Sequence, residues 1–160
     1  MNIIDHRVRK IEAFTLGPGE YIVGDPSYFV PNDKWNEVLQ SSKFFNAEDD
    51  GSALGHFTDK DGKQVAVIAF GTVYGDGEYS DEYGHLFPVD AGLIGIGLVE
   101  DFPVTSRSFN SGCHTIKFER QFIVKTMLNK NCRNLGFGDD CDTIIKFGHI
   151  EINTGDDESD

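Results

Sequence analysis

The most informative part of the chain is the stretch of residues 73–99, VYGDGEYSDEYGHLFPVDAGLIGIGLV. Its second half, residues 91–99, is apolar and is interrupted only by glycines. This segment is too short to span a membrane, and its glycines disfavour a stable helix. It therefore predicts a strand that is buried on both faces, with neighbouring backbone approaching closely at Gly95 and Gly97.

The first half of the stretch has a different character. Residues 75–83 combine acidic, aromatic and glycine residues, a composition typical of a loop. Because such a loop adds little to a core, its residue types favour contact with something outside the fold. Tyr79 and Tyr83 are flanked by charged residues, so we expect both phenol rings to be exposed. Exposed tyrosine beside acidic side chains is typical of protein recognition.

Strand and turn patterns extend on both sides of this stretch. Residues 54–58 and 63–73 predict a hairpin around Asp-Lys-Asp-Gly at 59–62, since an Asp-Gly pair suits the positive φ angles of a tight turn. The apolar run at residues 65–70 favours a central strand. Further strands are predicted at residues 21–23, 115–119, 122–127 and 143–152.

One helix interrupts this β pattern. The sequence Pro-Asn-Asp at residues 31–33 can supply a cap, and Trp35, Val38 and Leu39 follow at helical spacing to about Ser42. The predicted fold class is mainly β, an antiparallel curved sheet or sandwich with one short helix. We expect a single domain over residues 1–154, followed by a disordered acidic tail at residues 155–160.

Composition favours a globular protein of the cytoplasm. The hydrophobic fraction of 39% and the 13 phenylalanines indicate a buried core. Charged residues interrupt the N-terminal segment where a secretion signal needs an apolar run, and no stretch is long enough for a membrane span. The three cysteines are an odd number, which favours reduced thiols.

The net charge of −13 is unevenly distributed. Residues 44–101 carry 12 acidic and 2 basic side chains, whereas residues 102–154 carry 5 acidic and 7 basic ones. The acidic half would repel phosphates, which argues against direct nucleic-acid binding. It permits a basic protein surface or a metal cation as partner, and it also suits a solvated face that keeps the protein soluble.

Three separated segments occur in a suggestive order. They are GDPSYF at residues 24–29, with Trp35 after it, YGDGEY at residues 74–79, and VDAGLIGI at residues 89–96. Together they resemble a family of small, uncharacterised proteins of tailed phages and bacteria, which share a GDP-[SC]-Y segment, a glycine-rich acidic turn and a DAG-L element. The resemblance implies a phage or bacterial setting and the convergence of the three segments in space, but it implies no mechanism.

One carboxylate from each segment is a candidate ligand for a divalent cation. Asp25, Asp76 and Asp90 offer the oxygen atoms that hard cations prefer, and His85 is a further candidate. Asp25 and Asp90 also begin turn-like sequences, where an Asp side chain commonly accepts bonds from nearby backbone N–H groups. The sequence favours this turn role, and the cation site stays open as an alternative.

No complete catalytic set is present in the sequence. The chain lacks a Gly-x-Ser-x-Gly elbow, and no Gly-Lys-Ser/Thr follows its glycines. We therefore expect a non-enzymatic binding protein, an inhibitor or a sequestering factor, whose partner is a host protein with a basic surface or a small nucleotide-like ligand. The alternatives are a metal-dependent hydrolase or nucleotide-handling protein built on the aspartates, and a self-associating assembly protein. The expected binding residues are Tyr28, Trp35, Asp76, Glu78, Tyr79, Asp81, Glu82 and Tyr83.

Overall fold

A computed structural model describes residues 3–5, 13–42, 53–72, 75–102, 112–128 and 142–154. The predicted acidic tail lies outside these ranges. Within them the chain is mainly β, with antiparallel sheets and one short α-helix, α1 (Trp35–Ser41). The predicted fold class is therefore confirmed.

The strands of the described residues are numbered here in chain order. They are β1 (Ile3–Asp5), β2 (Ala13–Leu16), β3 (Gly19–Gly24), β4 (Leu54–Thr58), β5 (Gln64–Gly71), β6 (Gly77–Ser80), β7 (Leu86–Val89), β8 (Leu93–Leu98), β9 (His114–Phe118), β10 (Phe122–Leu128), β11 (Asp142–Phe147) and β12 (Ile150–Asn153). One sheet has the order β1-β2-β10-β11-β12, and a second has the order β4-β5-β8-β3-β9. Strands β6 and β7 pair as a separate two-stranded ribbon.

Two clusters of buried side chains lie on opposite faces of the second sheet. The larger cluster joins the two sheets, for example Phe14 of β2 with Ile96 of β8. The smaller cluster packs Val67 of β5 against Val38 of α1 and against Phe102. The second sheet is thus covered by the first sheet on one face and by the helix on the other, which explains the continuous apolar runs in β5 and β8.

Strand β8 occupies the middle of the second sheet and is buried on both faces, as predicted. A Cβ atom on Gly95 would lie 2.6 Å from the carbonyl oxygen of Ile68, so backbone approaches backbone closely at this position. Gly97 has a different neighbour, because a Cβ atom there would lie 2.5 Å from the ring of Phe102. The small residue at Gly97 therefore makes room for an aromatic side chain and not for a strand.

The predicted β4–β5 hairpin is confirmed. Gly62 has a φ of +81°, and the Asp59 carboxylate accepts hydrogen bonds from the backbone N–H groups of Asp61 and Lys63, both at 2.9 Å. Strand β5 lies between β4 and β8 and is therefore an interior strand.

The prediction of a single strand at residues 143–152 was wrong. The chain reverses at Gly148 and His149, which separate β11 from β12. Gly148 has a φ of +62°, a conformation that glycine adopts without strain, and its N–H donates to the carbonyl oxygen of Ile123 at 2.8 Å.

Helix α1 covers the outer edge of β4. The Ser41 hydroxyl accepts from the N–H of His56 and donates to its carbonyl oxygen, and Glu37 accepts from the N–H of Thr58 at 2.7 Å. These bonds occupy backbone groups that an edge strand otherwise offers to another chain. The predicted cap at residues 31–33 was wrong, because a 3-10 turn at Asn32–Lys34 leads into the helix without a side-chain capping bond.

We expect Gly95→Ala to destabilise the fold by about 1–3 kcal/mol, since its methyl group would press on the backbone of β5. Gly71→Ala is the matched control in a strand, because its methyl group would meet only the carbonyl oxygen of Gly92, at 3.9 Å. This control should be neutral or slightly stabilising. Urea unfolding of both variants measures the difference, and equal midpoints would contradict the close approach at β8.

Candidate functional site

The acidic, aromatic segment at residues 75–83 contains strand β6 and the start of the turn to β7, so the prediction of a loop throughout was wrong. Tyr79 and Asp81, two residues apart as the period of a strand requires, are buried, and Ser80 between them is half-buried. Tyr79 points inward, is fully buried, and donates from its hydroxyl to the carbonyl oxygen of Gly75 at 2.9 Å. The expectation that Tyr79 is exposed was therefore wrong, because the strand period places it on the core side.

Asp81 is buried as well and shapes the turn between β6 and β7. One carboxylate oxygen accepts from the backbone N–H groups of Tyr83 and His85, at 2.9 and 2.8 Å. The other oxygen lies 2.6 Å from Nδ1 of the His85 ring. Asp81 is thus an internal anchor, and the expectation that it contacts a partner directly was wrong.

Residues beside this anchor remain on the surface. Tyr83 is 59% exposed and Leu86 is 47% exposed, and Glu82, directly before Tyr83 in the turn, is exposed as well. The pKa of the Tyr83 hydroxyl is raised by loss of solvent and then by the Glu82 carboxylate, with a smaller contribution from Glu151. The exposed ring therefore has acidic surroundings.

Histidine rings extend this surface on both sides of Tyr83. The Tyr83 ring centroid lies 6.5 Å from that of His85 and 5.9 Å from that of His149 in the β11–β12 turn. His85 in turn lies 4.9 Å from His114, whose Nε2 is 2.7 Å from the carbonyl oxygen of Leu86. We call Glu82, Tyr83, His85, Leu86 and His149 the hairpin-tip surface.

Two of the three segments that carry the family resemblance meet at a buried carboxylate. Asp25 is fully buried, and its Oδ1 atom accepts from the backbone N–H and the hydroxyl of Ser27, both at 2.8 Å. Its Oδ2 atom accepts from the backbone N–H groups of Asp90 and Ala91, at 2.6 and 2.8 Å. The Tyr28 hydroxyl donates to the Asp90 carboxylate at 2.5 Å. The GDP-S-Y and DAG-L segments are therefore joined directly.

The proposed cation ligands do not form a cation site. The two carboxylate oxygens of Asp25 together accept four hydrogen bonds from N–H and O–H groups. Asp76 is an exposed residue just before β6. In the described ranges, no group of three His, Cys, Asp or Glu side chains is placed to hold a metal ion. The bond of Asp25 to the N–H of Ser27 matches the turn role that the sequence favoured. Asp90 differs, because its carboxylate accepts from the distant Tyr28 hydroxyl and its own N–H donates to Asp25.

The other expected binding residues are dispersed. Tyr28 and Trp35 are half-buried and pack against the smaller core cluster, and Glu78 is half-buried on β6 opposite Pro88. Of the expected set, Glu82 and Tyr83 belong to the hairpin-tip surface. Sequence reasoning missed His149, since its approach to Tyr83 depends on pairing between Asp81 and Ile152, far apart in the chain.

Fold and site together define an antiparallel β-sandwich with a hairpin tip that the Asp81 carboxylate holds through two backbone hydrogen bonds. Comparisons with known protein families, with curated proteins and with solved structures each gave no match. The likeness to a phage and bacterial family therefore stays a prediction. Among the residues that the structure describes, no helix has the length and apolar character to cross a membrane.

We expect Asp25→Asn to destabilise the fold by about 2–4 kcal/mol. The NH₂ group of the new amide would face buried N–H donors that need an acceptor. Asp76→Asn is the matched control from the predicted cation trio and should change stability by less than about 0.5 kcal/mol, since Asp76 is exposed. Urea unfolding with and without magnesium tests both statements. Stabilisation of the wild type by magnesium, lost in Asp76→Asn, would contradict this assignment and restore the cation site.

Tyr28 should make stability sensitive to alkaline pH. Burial, followed by the hydrogen bond to Asp90, raises the pKa of its hydroxyl well above the ordinary value of 10.0. A folded-state pKa above the unfolded one gives stability that is complete below about pH 10 and is lost as the pH rises further. The free energy of unfolding of the wild type should therefore fall more steeply above about pH 10 than that of Tyr28→Phe, as measured by urea unfolding. Parallel curves would show that the Tyr28–Asp90 bond has no such effect.

Proposed function

We propose that the chain is a non-enzymatic binding protein that recognises a partner protein through the hairpin-tip surface. The observation that carries this proposal is the ring of Tyr83, 59% exposed at a turn that the buried Asp81 carboxylate holds in shape. A large aromatic side chain on a preorganised support gives contact area without the entropy cost of ordering a loop.

Acidic groups around the ring indicate the chemistry of the partner. Glu82 is exposed next to Tyr83, and Glu151 contributes to the raised pKa of the Tyr83 hydroxyl. A basic partner surface would complement these carboxylates, and the net charge of −13 would speed the encounter. The apolar side chain of Leu86 would then be covered at the same contact.

The resemblance to proteins of tailed phages and bacteria supports a setting for this activity. We propose that the chain acts in the bacterial cytoplasm, which is the host cytoplasm if a phage encodes it. There it would inhibit or sequester a host protein by covering a basic surface. This role needs binding alone, which agrees with the structural use of Asp25 and Asp81.

Replacement of Tyr83 by alanine tests the surface. Tyr83→Ala should change the free energy of unfolding by less than about 0.5 kcal/mol, because the ring is mostly exposed. It should weaken partner binding at least about tenfold if Tyr83 is a central contact residue. Capture from a bacterial lysate on immobilised protein, quantified by mass spectrometry, identifies the partner, and titration of the purified partner then measures the affinity.

Ile123→Ala is the matched control, since Ile123 is 46% exposed on β10 and does not belong to the hairpin-tip surface. This variant should retain the partner and its affinity. Equal binding by the wild type and Tyr83→Ala would overturn the proposal. Light scattering provides a second check on the identity of the partner. If Tyr83→Ala no longer self-associates but still captures every other protein that the wild type captures, the partner is a second copy of the chain.

A further inference from the structure

Two histidine rings from distant parts of the chain lie side by side at the edge of the hairpin-tip surface. His85 directly precedes β7 and His114 begins β9, and their ring centroids are 4.9 Å apart, with 54° between the ring planes. The side chain of His85 is 43% exposed, whereas His114 is half-buried with its ring 4.8 Å from that of Phe87. Solvent therefore reaches the pair from the His85 side.

Hydrogen bonds decide which nitrogen of each ring carries the proton. Nδ1 of His85 lies 2.6 Å from the Asp81 carboxylate, and Nε2 of His114 lies 2.7 Å from the carbonyl oxygen of Leu86. Carboxylate and carbonyl oxygens accept hydrogen bonds, so each of these two nitrogens is the donor. In the neutral rings the other nitrogens, Nε2 of His85 and Nδ1 of His114, then hold unprotonated lone pairs.

These two nitrogens have no hydrogen-bond partner in the part of the chain that the structure describes. A histidine that binds a metal ion usually donates its second N–H to a carboxylate or to a backbone carbonyl, which orients the ring and makes it a stronger ligand. The bond of His85 to Asp81 is of the first kind, and that of His114 to Leu86 is of the second kind. Both rings are therefore supported in the way that metal ligands are.

The spacing of the two rings agrees with a shared metal ion. A zinc ion lies about 2.0–2.1 Å from a histidine nitrogen and prefers tetrahedral geometry. Two imidazoles on one such ion have centroids about 5 Å apart, because each centroid lies about 3.2 Å from the metal. The centroids of His85 and His114 are separated by 4.9 Å. Ordinary ring packing gives similar distances, so it is the two fixed lone pairs that distinguish this pair.

We propose that His85 and His114 bind one zinc ion, through Nε2 and Nδ1 respectively. Water completes the coordination, because no third His, Cys, Asp or Glu among the described residues is placed to join the pair. Imidazole nitrogen suits zinc, whereas magnesium and calcium prefer oxygen ligands. The site goes beyond the proposed function, since it needs neither a partner protein nor the ring of Tyr83.

Nitrogen NMR of the untagged full chain with isotope-labelled histidine tests the proposal at single atoms. Zinc chloride should shift the resonances of Nε2 of His85 and Nδ1 of His114 more than those of the other ring nitrogens, and magnesium chloride should shift neither. The variants His85→Gln and His114→Gln assign the signals. A shift confined to one of the two rings, an equal shift at all five histidines, or no shift at millimolar zinc would overturn the proposal.

Calorimetric titration with zinc chloride measures what the second ring contributes. His114→Gln should weaken zinc binding at least about tenfold, because a single imidazole then remains. This variant leaves the bonds of Asp81 in the β6–β7 turn in place, whereas His85→Gln removes one of them. The loss of affinity in His114→Gln therefore does not depend on a change in the shape of the turn.

His56→Gln is the matched control, since it removes an exposed imidazole from β4, outside the proposed pair. Its zinc affinity should stay within about twofold of the wild type, as expected for a distant and independent position. Equal weakening by His56→Gln and His114→Gln would show that zinc attaches to single surface histidines and would contradict a shared site. Unchanged zinc affinity in His114→Gln would contradict it as well.

Discussion

The buried carboxylate of Asp25 is the constraint on which the arrangement of the second sheet and the ribbon depends. A charged group without exposed surface is tolerated only when hydrogen bonds replace its hydration, and Asp25 accepts four of them. Two come from the turn that follows β3, and two come from the turn that precedes β8. Because β3 and β8 are neighbours in the sheet, the carboxylate locks the ends of both strands to each other.

A second buried carboxylate, that of Asp81, does the same at the other end of the β6–β7 ribbon. The base of the ribbon is held because β7 ends at Val89, directly before the Asp90 N–H that Asp25 binds. The tip is held because Asp81 accepts two backbone N–H bonds across the turn. A two-stranded ribbon by itself is marginally stable, so these anchors make the hairpin tip a rigid platform for Tyr83.

Local signals in the sequence were enough to predict much of the fold. The β4–β5 hairpin and the buried strand β8 follow from an Asp-Gly turn and from apolar runs, which act over a few residues. The inward orientation of Tyr79 could also have been found, since it follows from the period of two along β6. Composition was misleading there, because a strand of a small ribbon can contain acidic and glycine residues and still bury a large side chain such as that of Tyr79.

The candidate site was less accessible to sequence reasoning because it depends on contacts between distant segments. The bond of Asp25 to Ser27 is local and agrees with the predicted turn role, whereas its bonds to Asp90 and Ala91 require the pairing of β3 with β8. The approach of His149 to Tyr83 likewise requires two turns from different parts of the chain. Residue types at such positions carry no signal that distinguishes them from ordinary surface residues.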